Sequence, residues 1–209
     1  MFRQLLVYLI LAAFLPATAF AADVEAGEKL YTPCVACHGA NAEGVAELKS
    51  PALAGQSESY MIRQLWDFKQ GNRGAADGDT IGATMRPMAI ALADGEAISN
   101  VAAYLAAMPP GKPPATVEGD AENGQELFNS RCGACHGGMG WGIEELHTPR
   151  LNSIGDSYLM RQVQNFQDGL RGAHKEGHQG KQMAMMAKSV TKEELIDIAA
   201  FLNEPAREE

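Results

Sequence analysis

Basic residues are scarce in this chain: 17 Lys and Arg stand against 26 Asp and Glu over 209 residues. That balance argues against nucleic acid and anionic membrane surfaces, and it favours a partner with a basic docking patch. Long apolar runs are missing too. The longest, Leu5 to Leu15, holds 11 residues, where a spanning helix needs about 20. No stretch alternates apolar and polar residues at the period of a strand, which leaves an all-α fold. No signalling domain is present. Cysteine is limited to four residues, and their placement decides how the rest of the chain is read.

The four fall in two identical patterns, Cys34-Val35-Ala36-Cys37-His38 and Cys132-Gly133-Ala134-Cys135-His136. Two thiols three positions apart with a histidine directly after them form a c-type haem attachment motif. Each thiol adds across one porphyrin vinyl group, and the adjacent imidazole reaches one face of the iron. Other uses of Cys-x-x-Cys fit less well. A zinc ribbon keeps its halves about 15–20 residues apart, whereas Cys37 and Cys132 are separated by 95 positions. A thioredoxin-like pair does not call for the following histidine. A disulfide between cysteines this close in a helical stretch has poor geometry. Two haem c groups use all four cysteines.

Residues 1–21 read as a signal peptide, with Arg3 as its positive start, Leu5 to Leu15 as its apolar run and Ala19-Phe20-Ala21 as a cleavage site. Ala22 then begins the mature chain. It retains 16 Lys and Arg against 26 Asp and Glu, a net charge of −10. Export agrees with haem attachment outside the cytoplasm.

The mature chain is an internal repeat. Cys34 and Cys132, Pro51 and Pro149, Tyr60 and Tyr158, Arg63 and Arg161, Gln64 and Gln162, Phe68 and Phe166, Arg73 and Arg171, and Met85 and Met183 are each 98 residues apart. Asp23, Gly27 and Tyr31 match Asp120, Gly124 and Phe128 at 97. A tandem duplication follows: domain 1 over 22–108, a semi-stiff Pro-rich linker over 109–117 and domain 2 over 118–209. Each half offers the same helices. The first opens at Asp23 or Asp120; the second runs from near Ser57 or Ser157 to before Gly71 or Gly169; the last opens at Asp94 or Thr191, where Thr191 with Glu194 forms a capping box. The apolar positions of the second helix are Tyr60, Ile62, Leu65, Trp66 and Phe68 in the first copy.

A proximal histidine leaves one axial position of the iron open, and its occupant separates a carrier from an enzyme. Met85 follows His38 by 47 residues, and Met183 follows His136 by 47. A methionine at one distance in both copies, in a loop before the last helix, suits a distal thioether ligand. Met88 and Met186 match at 98 and are the rival pair. His147, His174 and His178 lie only in the second half, opposite Lys49, Ala76 and Thr80, so a ligand role for any of them makes the two sites unlike. The carbonyl of Pro51 or Pro149, 13 residues past each histidine, is placed to accept the ring N–H. Arg63/Arg161 and Arg73/Arg171 either pair with haem propionates or face solvent. Trp66 and Trp141 do not correspond and read as packing groups.

The paired Cys-x-x-Cys-His motifs, the helix Tyr-x-x-Arg-Gln followed by Gly-x-Arg, and the methionine before the terminal helix resemble the di-haem cytochrome c4 family over essentially the whole mature chain. The resemblance implies two class I cytochrome c folds about a pseudo-twofold axis, with covalent haem at Cys34, Cys37, Cys132 and Cys135. It gives His38 with Met85 and His136 with Met183 as iron ligands. It further implies a periplasmic electron carrier, not an enzyme, serving redox proteins such as a membrane oxidase, with no small-molecule substrate. One departure is Ser153 where the first half has Gly55. Subunits of sulfide-oxidising flavocytochromes look similar, so an electron-transfer subunit of a dehydrogenase is the alternative. A di-haem peroxidase needs a vacant distal site, and a Cys-ligated thiosulfate enzyme needs a fifth cysteine.

Overall fold

Side chains that accept the free N–H groups of a first helical turn mark where most of the long helices begin. Asp23 accepts from Glu25 and Ala26 at 2.9 and 3.0 Å, and Asp120 accepts from Glu122 and Asn123 at 3.1 Å. Ser57, Asp94 and Thr191 play the same part, and Thr191 with Glu194 completes the expected capping box. The computed structural model describes residues 21–175 and 177–204, so all but the last residue of the expected leader over 1–21 lies outside the described residues. In order, the helices are α1 (Val24–Tyr31), α2 (Val35–His38), α3 (Glu58–Gln70), α4 (Thr80–Ala83), α5 (Met85–Ala91), α6 (Gly95–Ala107), α7 (Ala121–Arg131), α8 (Gly133–His136), α9 (Asp156–Gln167), α10 (His178–Ala187) and α11 (Lys192–Leu202). Short 3-10 turns cover Thr32–Cys34, Ala46–Leu48 and Glu144–Leu146. No strand occurs among the described residues, which hold one isolated bridge, Val45 to Ser50.

The halves are built alike. In each, the first and last helices cross closely, α1 on α6 and α7 on α11. Gly27 and Gly124 permit that crossing. A Cβ on Gly27 would stand 2.1 Å from the Asn100 carbonyl oxygen, and one on Gly124 would stand 2.0 Å from that of Asp197. One core gathers Tyr31, Met61, Val101, Ala102 and Leu105; the other gathers Phe128, Leu159, Val163, Phe166, Ile198 and Phe201. An aromatic pair sits at corresponding places, Tyr31–Tyr104 at 5.7 Å and Phe128–Phe201 at 5.6 Å.

Several expectations need correction. Met85 and Met183 do not lie in loops: Met85 is the first residue of α5, and Met183 is inside α10. Pro87 is compatible with α5 because a proline in the first turn forfeits no internal hydrogen bond. The second-half helix α9 starts at Asp156, one residue before Ser157, and follows Gly155 with no side-chain cap. On α3 the deepest residues are Met61, Gln64 and Phe68, while Tyr60, Ile62, Leu65 and Trp66 are half-buried. Trp141 is 43% exposed, too open for a packing group.

The stretch 109–120 forms no helix but is held at several points. The buried Asp156 carboxylate accepts from Thr116 N and Oγ1, Val117 N, Ser157 N and Asn203 Nδ2. Burial alone would raise this carboxyl's pKa; the hydrogen bonds from Thr116, Ser157 and Val117 outweigh it and hold the group below its ordinary range. Pro110 lies against Gly55, where a Cβ would meet its ring at 2.5 Å.

Candidate haem sites and the seam between them

The two attachment motifs take the same local shape. Each histidine ends a single helical turn, and the second cysteine's carbonyl is tied down from a loop. Thr148 Oγ1 donates to Cys135 O at 2.6 Å, and Ser50 Oγ donates to Cys37 O. Neither hydroxyl was singled out from the sequence, although both stand 98 apart and so carried a signal. Both prolyl carbonyls do what the spacing predicts. His38 Nδ1 is 2.9 Å from Pro51 O, and His136 Nδ1 is 3.2 Å from Pro149 O. A carbonyl only accepts, so each Nδ1 carries the proton and each Nε2 keeps a lone pair.

That lone pair tests the fit to haem. His38 is buried, and among the described residues its Nε2 has no hydrogen-bond partner. A buried polar atom left alone costs about 1–3 kcal/mol, a cost removed by ligation. Burial also lowers both histidine pKa values, more than the prolyl hydrogen bonds raise them, so the imidazoles stay neutral. His136 lines a cavity of about 770 Å³ together with Cys132, Cys135, Leu159, Phe166 and Met183. Cys37 and Cys135 are exposed, and Cys34 and Cys132 half-buried. Burial pushes the Cys34 thiol up and the Cys132 thiol up to about 11. Among the described residues no group of three or more His, Cys, Asp or Glu is placed to hold a metal ion by itself. The residues fit haem c.

The methionines divide by depth. Met85 and Met183 are half-buried, whereas Met88 is 38% and Met186 46% exposed. Met183 packs on the second core and shares the cavity with His136. Met186 and the 67% exposed Met185 stand along the same cavity's wall. Of the three second-half histidines, His147 and His174 also line it.

The second cavity does not belong to its own half alone: Tyr60, Arg63, Gln64 and Trp66 of α3 form part of its wall. Here the halves meet through a reciprocal cluster. Arg73 donates to Gln64 Oε1 and Gln162 Oε1 at 2.8 Å and to Tyr158 OH at 2.6 Å. Arg171 donates to Gln162 Oε1 at 2.8 Å, Gln64 Oε1 at 2.7 Å and Tyr60 OH at 3.1 Å. Each guanidinium also lies over a ring of its own half, Arg73 over Phe68 and Arg171 over Phe166. Arg73 is buried, which rules out the solvent-facing alternative for it. Among the described residues no carboxylate bonds to either guanidinium; the one salt bridge is Arg131–Glu194. Arg63 and Arg161 lie over Tyr60 and Tyr158, and Arg161 Nη2 reaches Lys49 O across the seam at 2.6 Å.

A second seam contact is one-sided. Gln56 Nε2 donates to Arg150 O at 2.9 Å, Arg150 N donates to Gln56 Oε1 at 2.7 Å, and Arg150 Nε donates to Gly55 O at 3.1 Å. Glu144 Oε2 accepts from Ser57 Oγ at 2.6 Å, and Oε1 from Ser59 N at 3.3 Å. These residues carried no sequence signal because their counterparts, Ile154 for Gln56 and Ala46 for Glu144, differ in chemistry.

Comparison with known proteins agrees with this geometry. The cytochrome c family profile matches residues 24–109 and again 121–204. A cytochrome c4 of Thiocapsa roseopersicina is 31% identical, covering 86% of this chain and 91% of its own. A thiosulfate dehydrogenase electron acceptor of Stutzerimonas stutzeri is 31% identical, covering 92% and 90%. The solved cytochrome c4 of Acidithiobacillus ferrooxidans superposes with a TM-score of 0.69 at 30% identity, over 83% of this chain and 98% of that one.

Proposed function

Because the chain belongs to the cytochrome c family, as a two-domain member of the di-haem cytochrome c4 group, we propose that it is a periplasmic carrier passing electrons from a dehydrogenase to an oxidase. The periplasmic placement is supported by the expected leader; among the described residues no helix is long and apolar enough to cross a membrane. We assign domain 1 to 22–108, the linker to 109–117 and domain 2 to 118–209. Each domain carries one haem c, attached at Cys34 and Cys37 or at Cys132 and Cys135. His38 with Met85, and His136 with Met183, are its axial ligands. When bound, haem c supplies a one-electron ferric/ferrous couple.

The chain's own residues set the terms of that couple. The Pro51 and Pro149 carbonyls fix each imidazole's tautomer and make its Nε2 more basic. Apolar side chains such as Leu159, Val163 and Phe166 exclude water from the cavity. Arg73 and Arg171, cations with no carboxylate bonded to them among the described residues, are matched to the acidic side groups of the cofactor. The observation that carries the carrier reading is the shared wall: residues of one half line the other half's pocket, so an electron need not leave the molecule to pass between sites.

Optical spectroscopy of the oxidised protein tests this. Two sulfur-to-iron bands that resist added cyanide are expected, and replacing Met85 and Met183 with His is expected to abolish both and lower the midpoints. Rapid cyanide binding or peroxide turnover would move the protein to the peroxidase class. The thiosulfate dehydrogenase relative favours an upstream dehydrogenase as donor; co-purification with a catalytic subunit would make this chain a subunit and not a free carrier.

A further inference from the structure

The one-sided contact at Gln56 meets the backbone at an informative place. The N–H that Gln56 Oε1 accepts belongs to Arg150, and the carbonyl of the same peptide unit is Pro149 O, the acceptor for His136 Nδ1. A peptide unit is planar and rigid. Gln56 in the first domain and His136 in the second therefore hold opposite ends of a single amide. We infer that Gln56 is a positioning residue for the second haem's proximal histidine, acting across the domain seam through the Pro149–Arg150 peptide.

Two effects follow from that geometry. The hydrogen bond at the N–H end polarises the amide and makes Pro149 O a stronger acceptor, as chains of hydrogen bonds do in a low-dielectric interior. The paired bond from Gln56 Nε2 to Arg150 O fixes the direction of the backbone there, so the carbonyl cannot swing off the ring. Gln56 is 3% exposed and is itself anchored, since its Oε1 also accepts from Ser57 N at 2.9 Å. The first haem has no such support. The position matching Gln56 is Ile154, the position matching Arg150 is Ala52, and among the described residues the Ala52 N–H meets no acceptor. The Pro51 carbonyl rests on its own domain alone.

The consequence concerns the two redox centres unequally. A stronger acceptor at Nδ1 makes the imidazole a better donor and favours ferric iron. Gln56 therefore lowers the second haem's midpoint and leaves the first unaffected.

This inference rests on the di-haem reading above, and its test is separable from it. The test is a redox titration of the full holoprotein with Gln56→Met, which keeps volume and removes both hydrogen bonds to Arg150, and with Gln56→Glu, which keeps an acceptor for the Arg150 N–H. The ring resonances of the two ligand histidines are followed by NMR in parallel. Q56M is expected to raise one midpoint only, by up to tenfold in the reduced-to-oxidised ratio or about 59 mV for one electron, and to move the His136 ring signals while those of His38 stay. Q56E is expected to hold that midpoint at or below its original value. An unchanged separation between the two midpoints in Q56M, or a common shift of both in either variant, overturns the inference. Failure of the ligand reading would instead appear in the unmodified protein, as a spectrum without two sulfur-to-iron bands.

Discussion

Arg73 and Arg171 are the residues on which the seam turns. Each shares its donors between the amide oxygens of Gln64 and Gln162, so removing one arginine leaves acceptors of both halves short of a partner. Arg73→Leu is expected to cost about 2–4 kcal/mol of stability, measured by denaturant unfolding. It is also expected to lower both midpoints, because a cation near the haems favours the ferrous state; a variant of full stability and unchanged midpoints would contradict this. The cysteines, histidines and prolines of the sites were legible in the sequence because covalent attachment forces them into short, fixed spacings. Gln56 was not. Its partner is 94 residues away, and the duplicated position holds isoleucine, so neither local spacing nor repetition marked it.

Among the elements, the crossings of α1 with α6 and α7 with α11 leave no room for a side chain. Gly124→Ala places a methyl 2.0 Å from a backbone carbonyl and must push the helices apart. A loss of about 1–3 kcal/mol is expected in thermal unfolding, with Gly27→Ala showing the same effect in the first half. The junction at Asp156 makes a pH prediction. Its carboxyl ionises at lower pH in the folded chain than in the unfolded one, so its contribution is present above the ordinary range near 4 and is lost as pH falls through the lower folded value. Asp156→Asn is expected to reduce stability at pH 7 and to flatten the acid limb of a stability–pH curve; an unaltered acid limb would show the group to be unimportant. The starts of α1, α3, α6, α7 and α11 were legible because capping is a local matter of one side chain and the free N–H groups of the first turn. The placement of Met85 and Met183 was not, since only packing of α5 on α3 and α10 on α9 shows that helices form there.

At the scale of the whole molecule, the duplication was legible in the constant offset of 98, whereas the seam was legible only in part. The offset identified Tyr60, Gln64 and Arg73 with their mates but gave no reason for two copies to face each other. The acidic balance of the chain adds a prediction about partners. Transfer to a basic redox protein is expected to slow as ionic strength rises from about 10 to 150 mM, because screening shortens the reach of the attraction from about 30 to 8 Å. Stopped-flow rates with an acidic and a basic acceptor would separate this from a general salt effect.

The stretch between the halves touches both of them. Pro110 rests on Gly55, Pro113 on Gly155, and Thr116 and Val117 are bonded to Asp156. It is a strap laid along a joint, not a string from which one half dangles. Hand-over between the two centres is therefore expected to proceed without a wait for one lobe to find the other.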